Sequence, residues 1–268
     1  MNYLIVGLAK SGTTILFSRL RAALPEHTLT YFEPDQDQQL ADILAAGVDH
    51  TTLTKALIGR VTSKNEALGR FERQVLIYRD PRDQFISMLL YLFYDFELSR
   101  DSSGFRQARN ALQEKVEFPE RYSTVALYNT VAGLVGRAPV GVFNNLHTEQ
   151  QAYIDSFSPY LLRYEDFIDG KLGDAESYLS LSLRNNAEVA ESYTRVARSK
   201  AYGDWQNWLN QEDLDYLQGE WGSTLQNLGY PLATQSDKDL CIAKSTSLDY
   251  VDQFDPSRRP HGNHPGSG

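Results

Sequence analysis

The stretch IVGLAKSGTT, residues 5–14, decides the fold of this chain. It opens as an apolar run, breaks into a loop that contains Gly7 and Gly12, and continues into leucines at helical spacing. A strand, a glycine-rich loop and a helix in this order aim backbone N–H groups and a helix N-terminus at one anion. Nucleotide triphosphatases place a lysine directly after the second glycine, but Thr13 stands there and the lysine of this loop is Lys10.

Strand-like segments alternate with helical patterns along the first half of the chain. The predicted strands are YLIVG (3–7), LTYFEP (29–34), TTLTKALI (51–58), RQVLIYR (73–79) and PYLLRYEDF (159–167), the last running into a loop. This alternation predicts an α/β fold with a central, mostly parallel sheet flanked by helices, a P-loop-like three-layer sandwich. Ligands bind at the carboxyl ends of the strands in such sheets. That edge is predicted to carry Lys10, Glu33, Lys55, Arg79 and Glu165.

The rest of the chain is predicted to be mainly helical. Asp80 and Pro81 suit the cap and first position of a helix, and the helical region at about 95–158 is expected to shape a substrate pocket. We predict one domain over residues 1–235 and a C-terminal extension over 236–268, whose end is rich in Pro, Gly and charge and is expected to be disordered.

Composition excludes several classes of partner. The formal net charge of -9 argues against a surface for nucleic acid or anionic lipid. No run of some 18 apolar residues predicts a membrane span, so we expect a cytoplasmic protein. Its one cysteine, Cys241, excludes an intrachain disulfide framework and is expected to be buried. The sequence does not indicate the oligomeric state.

Two later segments add candidate anion ligands. In YRDPRDQFIS (78–87), Arg79 at a strand end and Ser87 two turns into the next helix would hold a phosphate from two sides; a plain ion pair of Arg82 with Asp83 at the helix start is the alternative. In RSKAYGDW (198–205), two basic residues precede a glycine that permits a turn over a ligand. The alternative for that segment is a solvated basic face.

Together these segments resemble the cofactor signature of sulfotransferases that use 3'-phosphoadenosine 5'-phosphosulfate (PAPS). KSGTT resembles the 5'-phosphosulfate loop of that family, and RDPRDQFIS resembles its 3'-phosphate strand and helix with the Arg-to-Ser spacing preserved. RYEDF resembles the Tyr-Glu-Asp-Leu segment and RSKAYGDW resembles the late Arg-x-Gly-x-x-Gly-Asp-Trp loop. The four segments stand in the order of the family and extend from residue 7 to residue 205.

The resemblance implies roles for individual residues. The phosphosulfate would be held by Lys10, Ser11, Gly12, Thr13 and Thr14. The 3'-phosphate would be held by Arg79, Ser87 and Arg198, with Ser199 and Lys200 in the same late loop, and Tyr164 matches a tyrosine near the adenine. The chain departs from the pattern at Ile15, where cytosolic members carry a tryptophan, and at Lys200, which replaces a glycine.

Sulfuryl transfer requires in-line positioning of the reactants and neutralisation of charge on the leaving oxygen. Lys10 and the loop amides would provide both without a metal. Many cytosolic members carry a histidine base two residues after a lysine on the third strand. Here Lys55 is present but Leu57 occupies the place of the base. Glu33 is the predicted substitute, with Lys55 to stabilise the transition state or to orient Glu33; a surface carboxylate that caps the next helix is the alternative. The histidines, including His147, fall in polar contexts typical of loops.

The predicted function is therefore transfer of a sulfuryl group from PAPS to a hydroxyl or amine of a small-molecule, lipid or carbohydrate acceptor, with release of adenosine 3',5'-bisphosphate. One alternative is a P-loop kinase or nucleotide hydrolase, which would need a lysine after Gly12 and an acidic metal ligand at a strand end. The other is a nucleotide-binding protein that has this fold without catalysis, which the missing histidine permits.

Overall fold

The structure is a computed structural model that describes residues 1–34, 37–61, 65–183, 201–232 and 239–258. Five strands, β1 (Asn2–Gly7), β2 (Leu29–Phe32), β3 (Thr52–Leu57), β4 (Arg73–Tyr78) and β5 (Tyr160–Arg163), form one sheet. Their order is β2-β3-β1-β4-β5 and every neighbouring pair is parallel. The predicted α/β fold with a parallel central sheet is confirmed.

Twelve α-helices accompany the sheet within the described residues. They are α1 (Thr13–Ala23), α2 (Asp37–Ala46), α3 (Pro81–Tyr91), α4 (Phe93–Ser99), α5 (Ser102–Glu117), α6 (Thr124–Leu134), α7 (Val142–Phe157), α8 (Tyr164–Ile168), α9 (Gly173–Leu179), α10 (Trp205–Trp208), α11 (Gln211–Asn227) and α12 (Leu248–Asp252). In the described part of the chain, no helix has the length and apolar character needed to cross a membrane.

The chain divides into two compact units. The first contains Met1–Gln84, Gly141–Gly203 and Glu220–Leu232, and thus the whole sheet; the second contains Phe85–Val140, Asp204–Gly219 and Ala233–Gly268. One domain over 1–235 stays a prediction.

The three central strands of the sheet, β1, β3 and β4, are buried on both faces. Because strand side chains alternate between faces, Ile5 joins a core cluster with Leu16 of α1, whereas Leu4 and Val6 join another cluster with residues of α2. This three-layer packing leaves the carboxyl ends of the strands as the edge at which polar side chains collect.

The second unit contains a buried ion pair that organises one loop. Lys115 is fully buried on α5 and donates hydrogen bonds to the carbonyl oxygens of Pro119 and Tyr122 at 2.7 and 2.6 Å. Its Nζ lies 3.9 Å from the carboxylate of Asp213, which accepts the backbone N–H of Thr124 at the start of α6. Burial lowers the pKa of Lys115 to about 8, although the negative charge of Asp213 acts to raise it.

Several predictions about local structure are corrected by the fold. His147 does not lie in a loop: it is buried on α7, one helical turn from Phe143, because it belongs to the apolar face of that helix. The segment after β5 is the short helix α8 rather than a loop, and Cys241 is exposed rather than buried. Parts of the late sequence that is predicted to be helical, and of the predicted disordered tail, fall outside the described residues.

Candidate functional site

The loop between β1 and α1 has the geometry of an anion cradle. Ser11 closes it by donating both its hydroxyl and its backbone N–H to the carbonyl oxygen of Leu8, at 2.8 and 3.2 Å. Gly12 stands at the N-cap with φ of 101°, and no side chain caps the first turn of α1. Lys10, within the loop, also takes a left-handed conformation with φ of 68°. An eleven-residue helix that starts without a side-chain cap or an acidic first turn keeps its positive end available to an anion.

Gly12 is required by its surroundings as well as by its conformation. A Cβ at this position would lie 2.5 Å from Cδ2 of Tyr164, and the φ of Gly12 is one that side chains rarely adopt. Tyr164 is buried, and the guanidinium carbon of Arg79 lies 4.6 Å from the centroid of its ring. Tyr164 therefore packs against both the loop and Arg79. A contact of Tyr164 with adenine stays a prediction.

Arg79 follows β4, next to the point in the sheet where the strand order reverses. From β1 the chain proceeds to β2 on one side, whereas from β4 it proceeds to β5 on the other, and ligands of open parallel sheets bind in the crevice between two such strands. Arg79 is only 6% exposed; it donates to the carbonyl oxygens of Lys10 and Ala201 at 3.5 and 3.2 Å. The nearest carboxylate oxygen, from Asp83, is 3.9 Å away, and Nε has no hydrogen-bond partner among the described residues. A buried guanidinium held by such long contacts suits a bound anion.

Two contacts that the sequence did not predict connect the segments around the crevice. Asp83 accepts the backbone N–H of Gly203 at 2.5 Å, and Gln84 donates from Nε2 to the carbonyl oxygen of Ala9 at 2.7 Å. Both residues lie in the first turn of α3, close after the RDP sequence at 79–81. Their place in the sequence, one helical turn after Arg79, is the signal that could have identified them.

Asp80, at the end of β4, is fully engaged in structural contacts. Its carboxylate accepts two hydrogen bonds from the guanidinium of Arg82, at 2.9 and 2.7 Å, and also the backbone N–H of Arg82, as expected of a helix cap. At the start of the helix, Arg82 thus forms its ion pair with Asp80. The alternative drawn from the sequence was a pair with Asp83. Glu165 accepts the backbone N–H of Asp80 at 3.2 Å and the hydroxyl of Tyr230 at 2.8 Å. Burial raises the pKa of Tyr230, and the nearby charge of Glu165 raises it further.

A second group of polar residues lies at the ends of β2 and β3. Lys55, whose side chain is 2% exposed, donates a short hydrogen bond to Glu33 and another to Oγ1 of Thr14 at 3.0 Å. Burial lowers the pKa of Lys55, although the hydrogen bond and charge of Glu33 oppose that shift. The other carboxylate oxygen of Glu33 lies 3.4 Å from Nη1 of Arg60, a contact that the sequence reasoning also missed. Lys55 thus connects a carboxylate directly to the cradle loop.

The other predicted site residues are placed as follows. Thr13 and Leu57 are buried, and Ile15 is half-buried. Ser87 is buried on α3 in the second unit. Arg198, Ser199 and Lys200 lie outside the described residues. Within the described residues, no group of three or more His, Cys, Asp or Glu side chains is arranged to hold a metal ion.

Comparison with known proteins gives a likeness in fold. No protein-family model matches the sequence, and no curated protein matches it. Among solved structures, the chain is similar to the crystal structure of mouse sulfotransferase SULT7A1 complexed with PAP, with a TM-score of 0.51 and 13% sequence identity. The match covers 84% of this chain and 85% of that one. The chain therefore has a sulfotransferase-like fold.

Proposed function

We propose that this chain is a sulfotransferase that uses PAPS as its sulfuryl donor and releases adenosine 3',5'-bisphosphate (PAP). The observation that carries the proposal is the approach of two buried cations to one loop. Lys55 donates to Thr14 at the helical end of the loop, while Arg79 donates to the carbonyl oxygen of Lys10 at its centre. Positive groups on both sides of a cradle with an uncapped helix suit a ligand with two separate anionic groups.

Described residues of the first unit would provide ligands for both anionic groups of the donor. The loop amides and the side chains of Lys10, Thr13 and Thr14 would hold the phosphosulfate, while the hydroxyl of Ser11 orders the loop through its hydrogen bond to Leu8. Arg79, whose Nε lacks a partner among the described residues, would hold the 3'-phosphate with a fork of N–H groups. Ser87 and Arg198 stay predicted ligands from the sequence resemblance alone. The solved PAP complex of a protein with a similar fold agrees with a donor of this type.

The proposed chemistry assigns Glu33 and Lys55 to the reacting atoms. PAPS supplies the sulfuryl group: the acceptor oxygen or nitrogen bonds to sulfur as the bond from sulfur to the bridging phosphate oxygen breaks. Glu33 takes the proton that the acceptor loses, and Lys55 neutralises charge on the bridging oxygen. The hydrogen bonds of Lys55 to both Glu33 and Thr14 support this division, since one ammonium group then touches the base and the donor loop.

The kinase alternative is less well supported by the described contacts. A kinase or nucleotide hydrolase needs a lysine after Gly12 and a carboxylate free to bind Mg²⁺ at a strand end. Thr13 follows Gly12 and is buried, and Asp80 at the end of β4 is occupied by two hydrogen bonds from Arg82. Binding of ATP with magnesium is therefore the competing measurement.

The test is calorimetric titration with PAP in the absence of metal, compared with ATP and magnesium. We expect PAP to bind more tightly, and Arg79→Lys to weaken PAP binding by about 10- to 100-fold, because a lysine keeps the charge but loses the fork.

Arg73→Lys is the matched control. Arg73 begins the same strand, stacks on Tyr178 with its guanidinium carbon 5.5 Å from the ring centroid, and also has an Nε without a partner among the described residues, but it lies at the amino edge. We expect PAP affinity to stay within about twofold in this variant. Tighter binding of ATP with magnesium, or equal losses in the two variants, would refute the proposal.

A further inference from the structure

An open cleft lies beside β2 and α2 in the first unit, and Glu33 is part of its wall. Its volume is about 520 Å³, within the range of small-molecule sites. The described residues that line it are Thr30, Tyr31, Phe32, Glu33, Pro34, Gln39, Asp42 and Ile43.

Glu33 joins this cleft to the donor loop. Glu33 is one of the residues that line the cleft, and Lys55, which does not line it, donates hydrogen bonds to both Glu33 and Thr14. A molecule in the cleft would therefore contact Glu33, the proposed base. Lys55 would connect that base to the loop. This continuity, which rests on the proposed function, is what an acceptor site requires.

The charge of the cleft points to a class of acceptor. The charge of Glu33 is balanced by Lys55 and by Arg60, and neither of these lines the cleft. Asp42 is exposed on α2, where it accepts a hydrogen bond from Nε2 of Gln38 at 3.3 Å, and it makes no ion pair within the described residues. The described lining contains no basic side chain. Asp42 is thus the unbalanced charge that faces a molecule in the cleft.

The strand edge adds neutral hydrogen-bonding groups. The N–H groups of Leu29 and Glu33 donate to carbonyl oxygens of residues 51 and 55, on the side of β3. Because these groups alternate along a parallel strand, the backbone N–H and C=O of Thr30 and Phe32 face away from β3, toward the open edge of the sheet. These groups suit hydroxyls on a ligand.

We infer that this cleft is the acceptor site, and that Asp42 selects a small hydroxylated acceptor with a positively charged amino group. The test uses three phenols that share a ring and differ in the charge of a short side chain: tyramine (cationic), tyrosol (neutral) and 4-hydroxyphenylacetate (anionic). Their affinities for the protein saturated with PAP are measured by saturation-transfer NMR titration. We expect tyramine to bind most tightly and the anion most weakly.

Two charge-reversal variants test whether Asp42 determines the preference among the three phenols. Asp42→Lys is expected to weaken tyramine binding on the order of fivefold and to strengthen binding of the anion, while PAP affinity stays unchanged. Asp49→Lys makes the same charge change at an exposed position outside the cleft lining and is expected to leave the order of affinities intact.

Each contrary result is decisive. A preference for the anion, an order of affinities that Asp42→Lys does not alter, or no binding of any of the three phenols to the PAP complex overturns the inference and leaves the proposed function standing. Failure of the wild-type protein to bind PAP refutes the proposed function, and the acceptor role falls with it.

Discussion

Protonation of His147 is expected to destabilise the first unit as the pH falls. The ring is 4% exposed and lies against two aromatic rings, with centroid distances of 6.2 Å to Phe143 and 5.3 Å to Trp221. Neither ring nitrogen has a hydrogen-bond partner among the described residues. Burial lowers the pKa of His147 from 6.5 to about 4, because no neighbour compensates a charge on the ring.

The size and sign of the effect follow from linkage. Between pH 4 and pH 6.5 the unfolded chain binds a proton at this histidine while the folded chain does not, so the free energy of unfolding rises with pH across that window. At about 1.4 kcal/mol per pH unit, the interval from 6.5 to about 4 corresponds to about 3 kcal/mol. This contribution is fully present above pH 6.5 and is lost as the pH falls to about 4.

Urea unfolding followed by tryptophan fluorescence measures this contribution, with His147→Phe as the variant. Phenylalanine keeps an aromatic ring in the site but does not titrate, so any packing cost is the same at every pH. The wild-type free energy of unfolding minus that of the variant should be about 3 kcal/mol larger at pH 7.5 than at pH 4. His27→Gln, at an exposed histidine, should show no such difference. A difference between wild type and His147→Phe that is constant with pH would refute the reasoning.

Three further predictions follow from the contacts above. Glu33→Gln should lower kcat by about 10²- to 10⁴-fold in assays of sulfuryl transfer, with PAP affinity by calorimetry nearly unchanged, because the amide cannot take the proton of the acceptor. Gly12→Ala should weaken PAP binding and lower the thermal midpoint, since the added Cβ meets Tyr164 at 2.5 Å in a left-handed conformation that costs about 1–2 kcal/mol. Lys115→Met should cost about 3–5 kcal/mol in urea unfolding because it leaves the buried carboxylate of Asp213 without its cation.

The strands could be predicted from sequence because each is a short apolar or β-branched run bounded by turn residues. All five predicted segments contain a strand, and the cap at Asp80 is confirmed by the hydrogen bond from the backbone of Arg82. The error at His147 has a simple physical origin. The residues that follow it are polar, but its ring packs on Phe143, one helical turn away, and on Trp221, which is distant in sequence.

Side-chain pairing within the candidate site was less accessible to sequence reasoning. Glu33 and Lys55 are far apart in the chain and meet because β2 pairs with β3 in the register that places Phe32 beside Lys55. The pairing of Arg60 with Glu33 depends on the path of the chain after β3, which residue patterns do not specify. The strand order, which places β4 beside β1 and so brings Arg79 to Lys10, is likewise a property of the whole sheet.

Backbone strain gives an independent reason to regard the edge at Lys10 and Glu33 as functional. Among the described residues, five other than glycine have positive φ. Arg100, Ser158 and Ser180 are C-caps of helices, where a left-handed residue ends the helix in the usual way. Lys10 and Glu33 end no helix; each follows a strand at the carboxyl edge. Strain without a structural use tends to persist where it positions reactive groups, and these two are a proposed ligand of the phosphosulfate and the proposed base.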